Sequence, residues 1–269
     1  MLNKQAWLPT IAVLAILTLC GCTPPKQYHT VYKPICVSAT PRPSPECETH
    51  ALQRLPTASE GNHYLLGFIE FDDQGQLWDR QQMSAVVNKL IGEAANKNLL
   101  MVVFVHGWKH NAAPDDANVA TFREMLRELT DAEVKLAKGL GTSARAPKRP
   151  PREIVGVYIG WRGASVTLPL IKELTFWDRK NTAQKVGRGG VTEVLSRLES
   201  IKRVKQHIGE SGHTRLVIVG HSFGGAVVYT ALSHILENRF VRTTGPAGEQ
   251  SDVGGFGDLV VLINPALEA

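Results

Sequence analysis

Arg215-Leu-Val-Ile-Val-Gly-His-Ser-Phe-Gly-Gly-Ala-Val-Val-Tyr229 is the stretch whose reading decides the fold. Leu216 to Val219 is a short run of aliphatic residues, the pattern of a strand buried on both faces. Ala226 to Leu236 reads as a helix. Between them, Gly220-His221-Ser222-Phe223-Gly224 has the Gly-x-Ser-x-Gly form of a nucleophile elbow. A sharp turn of this kind needs Gly220 and Gly224, because a Cβ beside the strained serine would strike the turn itself. Gly225 and Ala226 let the helix lie close to its strand. The helix start brings N–H groups and a positive dipole end to the serine. The absence of Gly-Lys-Ser/Thr after the glycines excludes a phosphate loop.

Upstream, the chain alternates strands and helices. Tyr64 to Phe71 alternates as an edge strand would, and Asp72-Asp-Gln-Gly75 is a turn. Gln81 to Asn96 puts Met83, Val86, Val87, Leu90, Ile91 and Ala94 on one helical face. Leu99 to Val105 is a continuous apolar run, as in a central parallel strand, and it ends in His106-Gly107-Trp108. Asn118 to Lys138 is amphipathic. Ile154 to Ile159 is a further strand, closing in Gly160-Trp161-Arg162-Gly163. Val191 to Ile208 is a regular amphipathic helix, and Leu259 to Ile263 is the last strand. This order implies right-handed crossovers and a doubly wound, mostly parallel α/β sheet.

Phe104-Val-His-Gly-Trp-Lys-His-Asn111, Gly160-Trp161 after a strand, Gly-His-Ser-Phe-Gly-Gly and Leu262-Ile-Asn-Pro265 together resemble the α/β-hydrolase superfamily, and within it bacterial esterase/lipase-like proteins. The resemblance spans residues 62–269. It implies Ser222 as nucleophile and an oxyanion hole made by the N–H groups of Phe223 and Trp108. Gly107 and His106 then belong to the oxyanion loop. The implied substrate is a small-molecule or lipid ester, with no cofactor and no metal. Residues 164–190 fall where such enzymes carry a lid insertion, although an ordinary packed helix reads equally well there.

One feature departs from the family. The family order is Ser, then acid, then His, yet only 47 residues follow Ser222 and their one histidine is His234. Twelve residues along a helix is about 18 Å, too far to take the serine proton. His213 lies across the strand, His221 flanks the serine with its side chain turned away, and His106 and His110 sit where histidines are usually structural. Asp258 precedes its strand, at the wrong end of the sheet, while Glu268 matches an acid position some hydrolases use. The expectation is either a hydrolase lacking its C-terminal strands and helix in this chain, or a binding or envelope-structural protein on a hydrolase scaffold. A buried parallel strand so near the last residue favours the former.

The N-terminus reads as an export signal. Lys4 precedes an apolar segment, Trp7 to Leu19, too short to span a bilayer. Leu19-Cys20-Gly21-Cys22 resembles a bacterial lipobox, which implies cleavage before Cys22, its acylation, and attachment to the membrane; an ordinary secretory signal is the alternative. Thr23 at the next position tends, in that family, to imply the outer membrane. The division expected is a signal at 1–21, a Pro-rich tether at 22–61 and the catalytic domain at 62–269. Cys36 and Cys47, the only other cysteines after Cys22, either close a disulfide across Pro41-Arg-Pro-Ser-Pro45 or stay free. The net charge of +5 is modest, and no basic run interleaved with aromatics points to nucleic acid.

Overall fold

The computed structural model describes residues 25–140, 149–163, 176–207, 214–242 and 254–267. They form one sheet of seven strands: β1 (Cys36–Val37), β2 (Leu52–Pro56), β3 (His63–Glu70), β4 (Leu99–Val105), β5 (Glu153–Gly160), β6 (Arg215–His221) and β7 (Leu259–Ile263). The spatial order is β1-β2-β3-β5-β4-β6-β7. Only the β2–β3 pair is antiparallel. The helices are α1 (Arg80–Asn96), α2 (Ala117–Ala137), α3 (Phe176–Val186), α4 (Thr192–His207) and α5 (Phe223–Val241), with a π turn at Gly187–Val191 before α4.

β4 shows how the sheet divides the core. Successive side chains of a strand point to opposite faces. Leu99, Met101, Val103 and Val105 accordingly pack into one cluster with α1, α4 and α5. Val102, with partly buried Leu100 and Phe104, packs into the second cluster with Phe122 and Leu126 of α2. From β4 the chain moves to β5 on one side, and from β6 it moves to β7 on the other. The connections therefore part between the carboxyl ends of β4 and β6, and that divergence opens the crevice where open α/β sheets bind ligands.

Two expectations change. Tyr64 to Phe71 is not an edge: β3 lies between β2 and β5, and Tyr64, Leu65, Leu66, Phe68 and Ile69 are all buried. Residues 25–61 are not a tether throughout. They supply β1 and β2, bury His29, Cys47, Ala51, Leu52 and Leu55 completely or nearly so, and add two strands to the domain expected to start at residue 62. Most of the prolines there lie outside the strands, and Pro56 closes β2, paired with His63 of β3. Within residues 164–190, where a lid insertion and a packed helix read equally well, Ala183 and Val186 are fully buried; residues 164–175 lie outside the described residues. Cys36 and Cys47 form a disulfide, with Cα atoms 5.4 Å apart. Among the described residues no helix is long and apolar enough to cross a membrane.

Candidate active site

Ser222 sits between β6 and α5 with φ 54° and ψ −120°. That left-handed φ is costly for a residue with a side chain and persists only where its surroundings enforce it. Here the enforcement is visible. The Ser222 N–H donates to Ile263 O at 2.9 Å, and Ser222 O accepts from Gly225 N at 2.9 Å and Ala266 N at 3.2 Å. The serine is thereby held from β7 as well as from its own helix. Its side chain makes no cap bond to α5, so the hydroxyl is left for other chemistry.

The glycines are required by contact rather than by flexibility. A Cβ on Gly220 would lie 2.6 Å from Gly224 O, and one on Gly224 would meet Val105 O and lie 2.6 Å from His106 O. Gly107 completes the arrangement: a Cβ there would stand 2.8 Å from both His221 O and Ser222 Cβ. The loop after β4 is thus pressed against the elbow. Trp108 follows directly, and Phe223, the first residue of α5, carries an N–H of the helix's first turn.

His106 is fully buried, and both ring nitrogens are engaged. The Trp161 backbone N–H donates to Nε2 at 3.0 Å, so Nδ1 carries the hydrogen and donates to Gly107 O at 3.0 Å. The Trp161 indole N–H returns to His106 O at 3.0 Å, and the two rings stack at 5.4 Å with 5° between planes. Burial pushes the His106 pKa down to about 4. It is a neutral strut joining the ends of β4 and β5, not a base.

His110 is held differently. Its Nδ1 meets Asp116 Oδ1 at 3.0 Å, and its carbonyl accepts from Gly163 N at 2.9 Å. Asp116 is the N-cap of α2 and also accepts from Asn118 N at 2.8 Å and Asn111 N at 3.1 Å. Burial alone would raise the Asp116 pKa, but the His110 bond and these two N–H groups hold it below the usual value. Sequence reasoning passed over Asp116, although an Asp before Ala-Asn-Val at the start of an apolar-periodic run is a cap signal.

Other described histidines are engaged elsewhere. His29 bonds Glu70, His50 bonds Pro34 O, and His234, on α5, pairs with Glu237 at the exposed surface. No described histidine bonds the Ser222 hydroxyl. Asp258 lies at the far end of the sheet, paired with Arg215 and Lys202. Glu268, Cys22 and His213 lie outside the described residues. Among the described residues no group of three His, Cys, Asp or Glu side chains is placed to hold a metal.

In a comparison with known families the model for lipase (class 3) matches residues 158–258, from the end of β5 through the elbow to the start of β7. No curated protein and no solved structure matches the chain. The matched segment contains Ser222 and its strained turn, and the chemistry the family brings is ester hydrolysis. Over residues 158–258 the chain is similar to that family, and a mostly parallel seven-stranded sheet with helices packed against it fits the α/β-hydrolase fold.

Proposed function

We propose that this chain is a serine esterase or lipase of the cell envelope, with Ser222 as nucleophile. The observation that carries the reading is Ser222 itself, a non-glycine residue at φ 54° whose hydroxyl caps nothing, set between a parallel strand and a helix. In this reading the N–H groups of Phe223 and Trp108 stabilise the oxyanion of the tetrahedral intermediate. The contact of Gly107 with Ser222 Cβ brings those two strand ends together. Attack by Ser222 Oγ on an ester carbonyl requires a base to take its proton. His106 is unsuited to that role because both its nitrogens are committed. Glu268 stays the acid candidate from sequence. Acylated Cys22 would anchor the protein to the outer membrane, bringing it to lipid or small-molecule esters; mass spectrometry of the mature N-terminus tests this, and a start other than a lipidated Cys22 rejects it.

A binding or envelope-structural role on the same scaffold is the second reading, favoured by the lack of any described histidine bonded to Ser222. A fluorophosphonate probe separates the two. Covalent labelling that maps to Ser222 and vanishes in Ser222→Ala supports the hydrolase, and a chain inert to the probe and to p-nitrophenyl esters supports the scaffold.

A further inference from the structure

A groove runs between α2 and the loop closed by the Cys36–Cys47 disulfide, apart from the elbow. Arg123 of α2 lines it, together with Arg42, Pro41 and Pro43 of the disulfide loop and Tyr64 of β3. Arg123 is a largely desolvated guanidinium with no carboxylate partner among the described residues. Its Nη2 donates to Gln53 Oε1 at 3.2 Å and its Nη1 to Pro114 O at 3.4 Å, while Nε is buried without a partner. A guanidinium has five N–H donors, so these two bonds leave three unused. The Phe68 ring, 6.0 Å away, is the other group it faces.

Arg123 is not free to turn elsewhere. Gln53 is completely buried, and its amide nitrogen donates to Cys47 O at 2.9 Å and His50 O at 3.2 Å. That fixes Oε1 toward Arg123, and the disulfide-closed segment thus holds the arginine in place. Arg42 acts on Arg123 electrostatically across the groove, like charge against like, and Arg42 itself carries no ion pair among the described residues. Glu48 acts on Arg123 through space without pairing. Of the other charged lining residues, Arg127 is bound to Glu124, and Asp115 is exposed. Two guanidinium groups, neither in an ion pair among the described residues, therefore line one cavity, and a desolvated charge without a counterion is costly.

We propose that this groove binds a small oxyanion, a phosphate or carboxylate group, between Arg123 and Arg42. Arginine presents paired N–H groups that match such oxygens two at a time. Asp115 and the Arg127–Glu124 pair leave the groove only weakly positive, which suits a single anionic group and disfavours a polyanion. The site does not depend on Ser222 chemistry.

The test is thermal unfolding of the intact chain in rising inorganic phosphate, and separately in acetate, against chloride at equal ionic strength. A saturable rise in midpoint with either anion is expected; which of the two acts assigns the tetrahedral or the planar group. Arg123→Gln and Arg42→Gln should each weaken the apparent affinity at least tenfold. Arg42 is exposed, so Arg42→Gln folds normally and decides the matter even where Arg123→Gln is unstable. No saturable rise with either anion beyond the chloride control overturns the proposal, as does a rise that persists undiminished in Arg42→Gln.

Discussion

The elbow and the N-terminal segment hold the same sheet in opposite ways. At the elbow, everything needed lies within a few residues of Ser222: a buried strand, two glycines that no larger residue can replace, and a helix start. The segment from Tyr28 to Leu55 has almost no regular structure before β2, yet it is anchored by one carboxylate. Glu70, at the end of β3 and nearly inaccessible, accepts from Tyr28 N at 2.8 Å, His29 N at 2.9 Å, His29 Nδ1 at 3.0 Å and Gln82 Nε2 at 3.0 Å. The first kind of structure is written locally. The second is written by a partner about forty residues away, and it bears on the domain's stability as strongly as the elbow bears on chemistry.

The largest effect should come from breaking the anchor. Glu70→Ala leaves four donors without their acceptor in a dry site, which costs about 3–5 kcal/mol. Denaturant unfolding should show that loss directly, together with early proteolysis before Leu52. A change below about 1 kcal/mol would mean that the segment is the tether its prolines suggest. Comparable in size, but confined to chemistry, is Gly107→Val. Its Cβ would collide with Ser222 Cβ and His221 O, displacing the proposed oxyanion loop, and fluorophosphonate labelling of Ser222 should slow by about 100- to 1000-fold. Trp108→Phe keeps the backbone N–H and should label at close to the wild-type rate. Full labelling in a folded Gly107→Val variant would separate the loop from the elbow's chemistry.

A smaller effect appears on the pH axis. His29 is completely buried and stacked on Phe68 at 3.6 Å, and burial holds its pKa below the usual 6.5 despite the pull of Glu70. Burial alone would raise the Glu70 pKa, but the bonds from His29 and from the Tyr28 and His29 backbone hold it below 4.5. Both groups are depressed on folding, so both bind fewer protons in the folded than in the unfolded state as the medium acidifies. Their contribution is complete above about pH 6.5 and falls away with acid, first through His29 and then, below about pH 4.5, through Glu70. His29→Phe should lower stability at neutral pH by about 1.5–3 kcal/mol through loss of a bond to a charged acceptor. It should also flatten the part of the stability–pH curve just below 6.5. An unchanged slope would mean that His29 does not titrate with folding.

The contrast also explains what was legible in the sequence. β4, β5, β6 and β7 stand out as apolar runs, and α1 and α2 as 3.6-residue stripes, because burial of whole faces leaves a period in the chain. Gly220, Gly224 and Ser222 are legible because one turn allows few residues. The misreading of β3 as an edge follows from the misreading of β2. Leu52-Gln-Arg-Leu-Pro56 is short, ends in proline and carries two polar residues; Gln53 and Arg54 look like surface until their partners Cys47, Glu93 and Glu153 are seen. His29, Glu70 and Gln82 were unreadable for the same reason, since each finds its hydrogen-bond partners in the others, far along the chain. His106 follows β4 directly, and its Nδ1 partner, Gly107 O, is local, but the bond to its Nε2 comes from Trp161, fifty-five residues on.

The smallest effect tests whether the proposed oxyanion loop belongs with the locally written elbow or with the anchored kind of structure. Asp116 joins the two styles: it is a local N-cap for α2 through Asn118 N, and it also fastens the loop after β4 through His110 Nδ1 and Asn111 N. Asp116→Ala removes all three bonds, and loss of the cap alone costs about 1 kcal/mol. Asp116→Asn keeps an acceptor for the cap and should cost only a few tenths. The wild-type carboxylate has a depressed pKa, so its contribution is present above about pH 3.8 and is lost as pH falls further; the Asn variant should lack that acid limb. The informative readout is the ratio of the two variants in Ser222 labelling. Where the loop is held by the glycine contact at Gly107 and the clasp between His110 O and Gly163 N, both variants label at the wild-type rate and only the melting point moves. A labelling defect in Asp116→Ala that Asp116→Asn restores would instead make the cap of α2 part of what positions Trp108.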